Sequence, residues 1–230
     1  MAAASSTTYI DVLVKITRTE YAKKLMAGHV YMNLLSHYRN MENSQGEKGG
    51  AFDVSEGLAA EHVELLIEAS VSKISIPLKD VTMFFDFPVF CCSRIRFPVD
   101  TNLLGRRRIE LFDPRMATDF VTGSIYEYSV LLMKTRDFKN RFEKAAEDQN
   151  IQCEIKPVNY EDFNNDPKYA DNPSAAVFRK SSSYSYQKEC RAVLYKSASK
   201  AEDFYIGDLS DISILLPASI LTDELYLCSK

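Results

Sequence analysis

Residues 181–194, SSSYSYQKECRAVL, place an amide, a carboxylate and a guanidinium at alternate positions: Gln187, Glu189 and Arg191. The period of two and the apolar ending Val193, Leu194, Tyr195 predict a β-strand. On such a strand Gln187, Glu189 and Arg191 share one face, and Cys190, Ala192 and Leu194 share the other. Side chains two residues apart lie about 6.6 Å apart along a strand, so Glu189 and Arg191 can grip one ligand or pair through a neighbouring strand. Buried without partners, either charge would cost several kcal/mol. The face is therefore expected to meet solvent or a polar cleft. A plain solvated strand face fits the spacing equally well. The donors crowded just upstream (Lys180, Ser181, Ser182, Ser183, Tyr184, Tyr186) favour the cleft.

Glycosidic cleavage of a nucleotide cofactor would suit this face. A glutamate that accepts a hydrogen bond from a ribose hydroxyl stabilises oxocarbenium character at the anomeric carbon. Gln187 would orient the acceptor, and Arg191 and Lys180 would hold a pyrophosphate, with Tyr186 beside them. Q-x-E on a strand resembles the arrangement of several ADP-ribosyltransferases, and that resemblance implies NAD as cofactor. GHVYM, residues 28–32, adds His29 and Tyr31 on one strand face, and one class of those enzymes uses a histidine and a tyrosine with a distant glutamate. In that class the two normally lie on separate elements, and a strand histidine satisfied by a backbone carbonyl is the simpler reading. His37, on a predicted short helix, reads as a surface residue.

Other groupings have plainer readings. Asp53 and Glu56 in FDVSEG fit a metal, a helix cap or a polar turn, with cap or turn favoured. Glu154 and Lys156 in QCEIK, with Asp137 upstream, match the E-x-K pattern of Mg²⁺-dependent nucleases, although Asp137 is better placed as a helix cap. Arg106, Arg107 and Arg108 could meet phosphates, but Glu110 and Asp113 dilute the run. The three histidines and five cysteines show no ligand spacing, which excludes zinc and Cys–His catalysis as expectations.

Strand patterns dominate the elements that must position these residues. Strands are predicted over 9–16, 29–33, HVELLIEA, VSKISIPL, PVFCCSRIRF, 124–134, QCEIKPVNY, the 187–195 stretch, DFYIG, DISILLP and DELYLC. PVFCCSRIRF is apolar enough through Cys92 to be buried on both faces. Helices are predicted over 19–27, capped by Thr17 or Thr19 and stopped by Gly28, over LLSHYRNME, and over 135–149. In the last, Phe138, Phe142, Ala145 and Ala146 form one stripe. Residues 43–50 and 161–174 read as loops, and GRRRIELFDPRMATDF as irregular. The sum is an α+β chain: a flexible lead-in over 1–8, then a single domain over 9–230 with a mostly antiparallel, split or sandwiched sheet and two or three helices.

Composition sets the bounds. At 230 residues, 46% hydrophobic and 26% charged, the chain can hold a core by burial alone. The odd, scattered cysteines read as reduced thiols of a cytoplasmic protein. The N-terminus has no signal-peptide pattern, and no window approaches a membrane span. A net charge of −4 argues against a general nucleic-acid coat.

The pattern Phe178-x-Lys180, a short spacer, then Tyr186-x-x-Glu189-x-Arg191 is similar to the C-terminal signature of a widespread bacterial and phage-associated family of unknown function. VYMN, LLSHYRNMEN, the glycine-bearing loop and Glu56-Gly57 resemble that family's N-terminal half, so the likeness covers about residues 10–225. Tyr186 stands where tryptophan is frequent. The resemblance implies an ADP-ribosyltransferase-like fold, a nucleotide ligand, an unidentified protein or nucleic-acid acceptor, and a role as toxin or phage-defence protein. The expected alternative is a non-catalytic nucleotide- or protein-binding protein of the same conflict, with Glu189–Arg191 as a structural ion pair.

Overall fold

The computed structural model describes residues 8–45, 57–60, 63–69, 72–78, 83–99, 106–109, 112–121, 124–162, 172–223 and 225–228. Its centre is an antiparallel sheet of β10 (Cys153–Pro157), β13 (Glu189–Leu194), β7 (Pro88–Val99), β1 (Thr8–Arg18), β9 (Tyr128–Lys134) and β15 (Ser213–Pro217), in that order. β7 is the hinge of the arrangement. Along one side it pairs with β13, Glu189 opposite Ser93 and Val193 opposite Val89. Its other side is divided between β1 and β2 (His29–Leu34), which touches it only at Asn33–Val89 and Leu34–Pro88. β2 then leaves the sheet and pairs with β14 (Glu202–Tyr205).

Strand alternation assigns each face its own core. On one face Leu13, Phe90, Cys92, Leu131, Met133, Cys190, Ala192 and Leu194 pack under α4 (Thr135–Asp148), which contributes Phe138 and Phe142, and under Val30, Met32 and Phe204 of the β2–β14 ribbon. The other face carries two apolar clusters. Val14, Ile16, Ile95, Tyr128 and Val130 meet Met116 of α3 (Arg115–Phe120). Val89 and Val193 meet Leu35 of α2 (Leu35–Gln45) and Val177 of α5 (Pro173–Val177).

α1 (Thr19–Met26) ends at Gly28, whose φ of +97° lets the chain reverse into β2. A Cβ at Gly28 would stand 2.2 Å from the Gly207 carbonyl oxygen, so the close approach also demands glycine. The expected threonine cap is absent: Arg18 is the N-cap, without a side-chain bond. Thr19 Oγ1 instead donates to the Glu127 carbonyl and pairs with Ser129 Oγ, tying the helix start to β9.

Remaining strands form small pairs. β4 (Val63–Ala69) pairs with β5 (Ser72–Leu78), β3 (Leu58–Ala60) with β6 (Met83–Phe84), and β11 (Asn159–Glu161) runs parallel to β12 (Arg179–Ser181). β8 (Arg106–Ile109) pairs with β16 (Leu225–Cys228). The molecule is thus a mixed α+β domain on an antiparallel sheet. It has five α-helices and three 3₁₀ turns among the described residues, more than the two or three helices expected. Part of the excess lies in 105–120, expected to be irregular: it supplies α3 as well as strand β8, because Met116 finds a place in the core and RRRI a distant partner strand. α5 likewise begins in the last two residues of the expected loop 161–174 and runs on to Val177. None of the helices among the described residues is long and apolar enough to cross a membrane.

Candidate functional site

The strand that carries Glu189 begins two residues after Gln187, so Gln187 lies outside it. Ser182–Gln187 form a 3₁₀ helix, and Lys188 takes a left-handed conformation, φ 46°, before β13 starts. Gln187 therefore does not continue the Glu189 strand face. The tight turn brings it back to the same place by another route, which hydrophobic alternation could not reveal.

All six residues of β13 are buried. Glu189 is 6% exposed, Arg191 0%, Lys180 2% and Gln187 2%, so the face expected to line a polar cleft or meet solvent is an interior one. Its charged face lies between the two apolar clusters on that side of the sheet, and the charges satisfy one another. Lys180 Nζ is 2.8 Å from Glu189 Oε2 and donates to Gln187 Oε1 at 3.0 Å. Arg191 Nε lies 2.6 Å from Glu189 Oε1, and its Nη1 donates to the Val177 carbonyl at 2.5 Å. Both carboxylate oxygens of Glu189 are thus held by cations. Burial alone would raise its pKa, but Arg191 and Lys180 hold it well below the usual carboxylate range.

Two tyrosines that sequence reasoning missed border the cluster. Tyr160, at the centre of β11, accepts a hydrogen bond from the Glu189 backbone N–H at 2.7 Å, and burial beside Glu189 pushes its phenol up to about 12. Tyr38, on α2, is partly buried against the apolar cluster beside β13, and desolvation, reinforced by Cys91 and more weakly by Glu189, raises its pKa well above normal. The only signal for either was its place in an amphipathic segment, which reads as core filler.

The cluster continues to the surface. Gln187 Nε2 is 3.5 Å from Tyr186 OH, which donates to Asp119, and burial with that carboxylate pushes the Tyr186 phenol up to about 12. The Arg115 guanidinium lies 3.8 Å over the Tyr186 ring and is fixed by a two-pronged bond to Asp113, at 2.9 and 2.8 Å. Lys180 Nζ sits 5.0 Å over the Tyr184 ring, and the Ser182 and Ser183 side chains beside it face solvent. Ser182 Oγ donates to Asp162. A buried ionic base thus underlies an exposed rim of aromatic, hydroxyl and guanidinium groups.

His29 and Tyr31 are not part of this assembly. They point outward from the β2–β14 ribbon, whose inner residues Val30 and Met32 pack on the Cys190 face of the sheet, opposite the Glu189 face. There His29 Nδ1 lies 3.1 Å from Asp203 Oδ2, and its ring packs on Tyr205.

The E-x-K pair is also engaged elsewhere. Lys156 Nζ contacts Glu154 Oε1 at 2.8 Å and Ser174 Oγ at 2.6 Å, while Ser174 and Tyr195 donate to Glu154 Oε2 at 2.6 and 2.7 Å. This four-membered network pins α5 to the sheet. Asp137 lies in the first turn of α4, where its charge suits the helix dipole. No group of three or more metal-ligating side chains occurs among the described residues. Asp53, Glu56 and Gly46–Gly50 lie outside the described residues, as do the side chains of Arg106, Arg107 and Arg108. His37 is exposed, as expected.

Compared with known proteins, the chain matches no family model, no curated protein and no solved structure.

Proposed function

We propose that this protein is a nucleotide-binding protein in which the Lys180–Glu189–Arg191 cluster braces the site rather than reacting. One observation carries the reading: both oxygens of Glu189 are already held by cations, within 2.8 Å, in a position only 6% exposed. A carboxylate that must accept a ribose hydroxyl needs a lone pair facing the substrate, whereas a brace needs the geometry found here. The rim above it, Tyr186 with Arg115 stacked on its ring and the exposed Ser183 hydroxyl, supplies stacking and phosphate-directed donors. The resemblance of Tyr186-x-x-Glu189-x-Arg191 to the phage-associated signature supports a place for that binding in phage–host conflict.

Transfer of ADP-ribose from NAD is the second reading. It is favoured by Gln187 and Glu189 meeting on one Lys180 ammonium despite lying on different elements. It requires the ligand to displace Lys180 or Arg191 from the carboxylate.

Calorimetric titration of the protein with NAD⁺, ADP-ribose and ATP, alongside a nicotinamide-release assay, separates the two. Binding without release is the expected result, with affinity falling about tenfold in Arg115→Ala, a loss of about 1.4 kcal/mol. Nicotinamide release by the wild type moves the assignment to the transferase. Failure of all three nucleotides to bind overturns both.

A further inference from the structure

The face of β13 opposite Glu189 carries Cys190, and the residue directly across the ladder on β7 is Cys92. Both thiols are free and buried, 2% and 8% exposed, in the main apolar core. The ladder fixes their separation. Arg94 N donates to the Lys188 carbonyl at 2.8 Å, so that pair is of the hydrogen-bonded kind, and alternation makes Cys92–Cys190, two residues on, the same kind. Such pairs hold their Cα atoms about 5.5 Å apart, inside the span a disulfide bridges. Cys92 Sγ donates to the Cys190 carbonyl at 3.5 Å. Adjacent Cys91 points to the other face, opposite Arg191.

We propose that Cys92 and Cys190 are a redox-modification site, forming a reversible disulfide that locks β13 to β7 when the protein meets a small peroxide. Cys190 is the attacking sulfur: neighbouring Cys92 holds its pKa below the ordinary thiol value against burial, and the Arg94 charge adds to the effect. Its thiolate attacks one oxygen of hydrogen peroxide and the O–O bond breaks. This leaves a sulfenic acid on Cys190 and a hydroxide that takes up the thiol's proton as water. Cys92 sulfur then attacks the Cys190 sulfur and the S–O bond breaks. Hydroxide leaves with the Cys92 proton as a second water. Two thiols are oxidised and one peroxide is reduced to two waters. Because Cys190 lies between Glu189 and Arg191, the cross-link fixes the backbone that carries the ionic cluster.

The test treats the full chain with hydrogen peroxide, alkylates it under denaturing conditions and maps the peptides by mass spectrometry. The expected product is one cross-linked peptide pair containing Cys190, lighter by two hydrogens and split by dithiothreitol. It persists in Cys91→Ala and is lost in Cys92→Ser, and it raises the melting temperature of the oxidised wild type. Full alkylation of both thiols, a Cys190 sulfinic acid without a cross-link, or a cross-link that disappears in Cys91→Ala overturns the proposal.

Discussion

Lys180 Nζ and Glu189 Oε2 meet at 2.8 Å with side chains 2% and 7% exposed, so the ion pair is an interior one joining β12 to β13. Arg191 completes it from the same strand as Glu189. Two cations around one carboxylate make Glu189 the member whose loss does most damage.

Glu189→Ala is expected to destabilise the fold by about 3–5 kcal/mol, since it strands buried charges. Glu189→Gln keeps the volume but removes the counter-charge, and most of the same loss is expected. Urea denaturation of both variants measures it. A wild-type midpoint in Glu189→Gln would show that the carboxylate is not structural and would restore the case for a catalytic role.

The pH dependence follows in sign. The folded-state pKa of Glu189 is depressed below its ordinary value of 4.5. Its contribution is therefore fully present above pH 4.5 and declines as pH falls from there toward the folded pKa. Unfolding free energy measured from pH 7 down to pH 3 should fall below about pH 4.5, and less steeply in Glu189→Gln. Parallel slopes would refute the linkage.

Gly28→Ala should cost more than about 1 kcal/mol, from positive φ and collision with the Gly207 carbonyl together. Melting curves give the result, and an unchanged transition would mean the α1–β2 reversal accommodates a methyl group.

Phe138 is fully buried between Phe90 and Phe142. Phe138→Ala is expected to cost about 3–5 kcal/mol by leaving a cavity under the sheet. A loss below 1 kcal/mol by chemical denaturation would contradict the packing.

His29→Ala and Tyr31→Ala remove exposed side chains on the ribbon and should leave nucleotide affinity unchanged in calorimetry. A large loss in either would bring the ribbon into the site and require a second contact surface.

The sequence by itself determined what depends on short-range pattern. Alternation over residues 9–16 marked β1, that over 124–134 marked β9 from Tyr128 on (Ile125–Glu127 form a 3₁₀ turn instead), and the Phe138–Phe142 stripe marked α4, because a buried face imposes its period on neighbouring residues. It also placed Gln187, Glu189 and Arg191 in one constellation and turned Cys190 away from it.

Only the tertiary structure decided which side of that constellation was inside. Alternation reports that two faces differ, not whether the polar one meets water, and here Lys180 and Val177, brought from another segment, replace the water. The same limit hid Tyr38 and Tyr160, and the partners of Arg106–Ile109. It also made His29 and Tyr31 look close to Glu189, when a sheet and an apolar core stand between them. Contacts between residues far apart in the chain have no period to read, so the partners of buried charges emerge only when the strands are assembled.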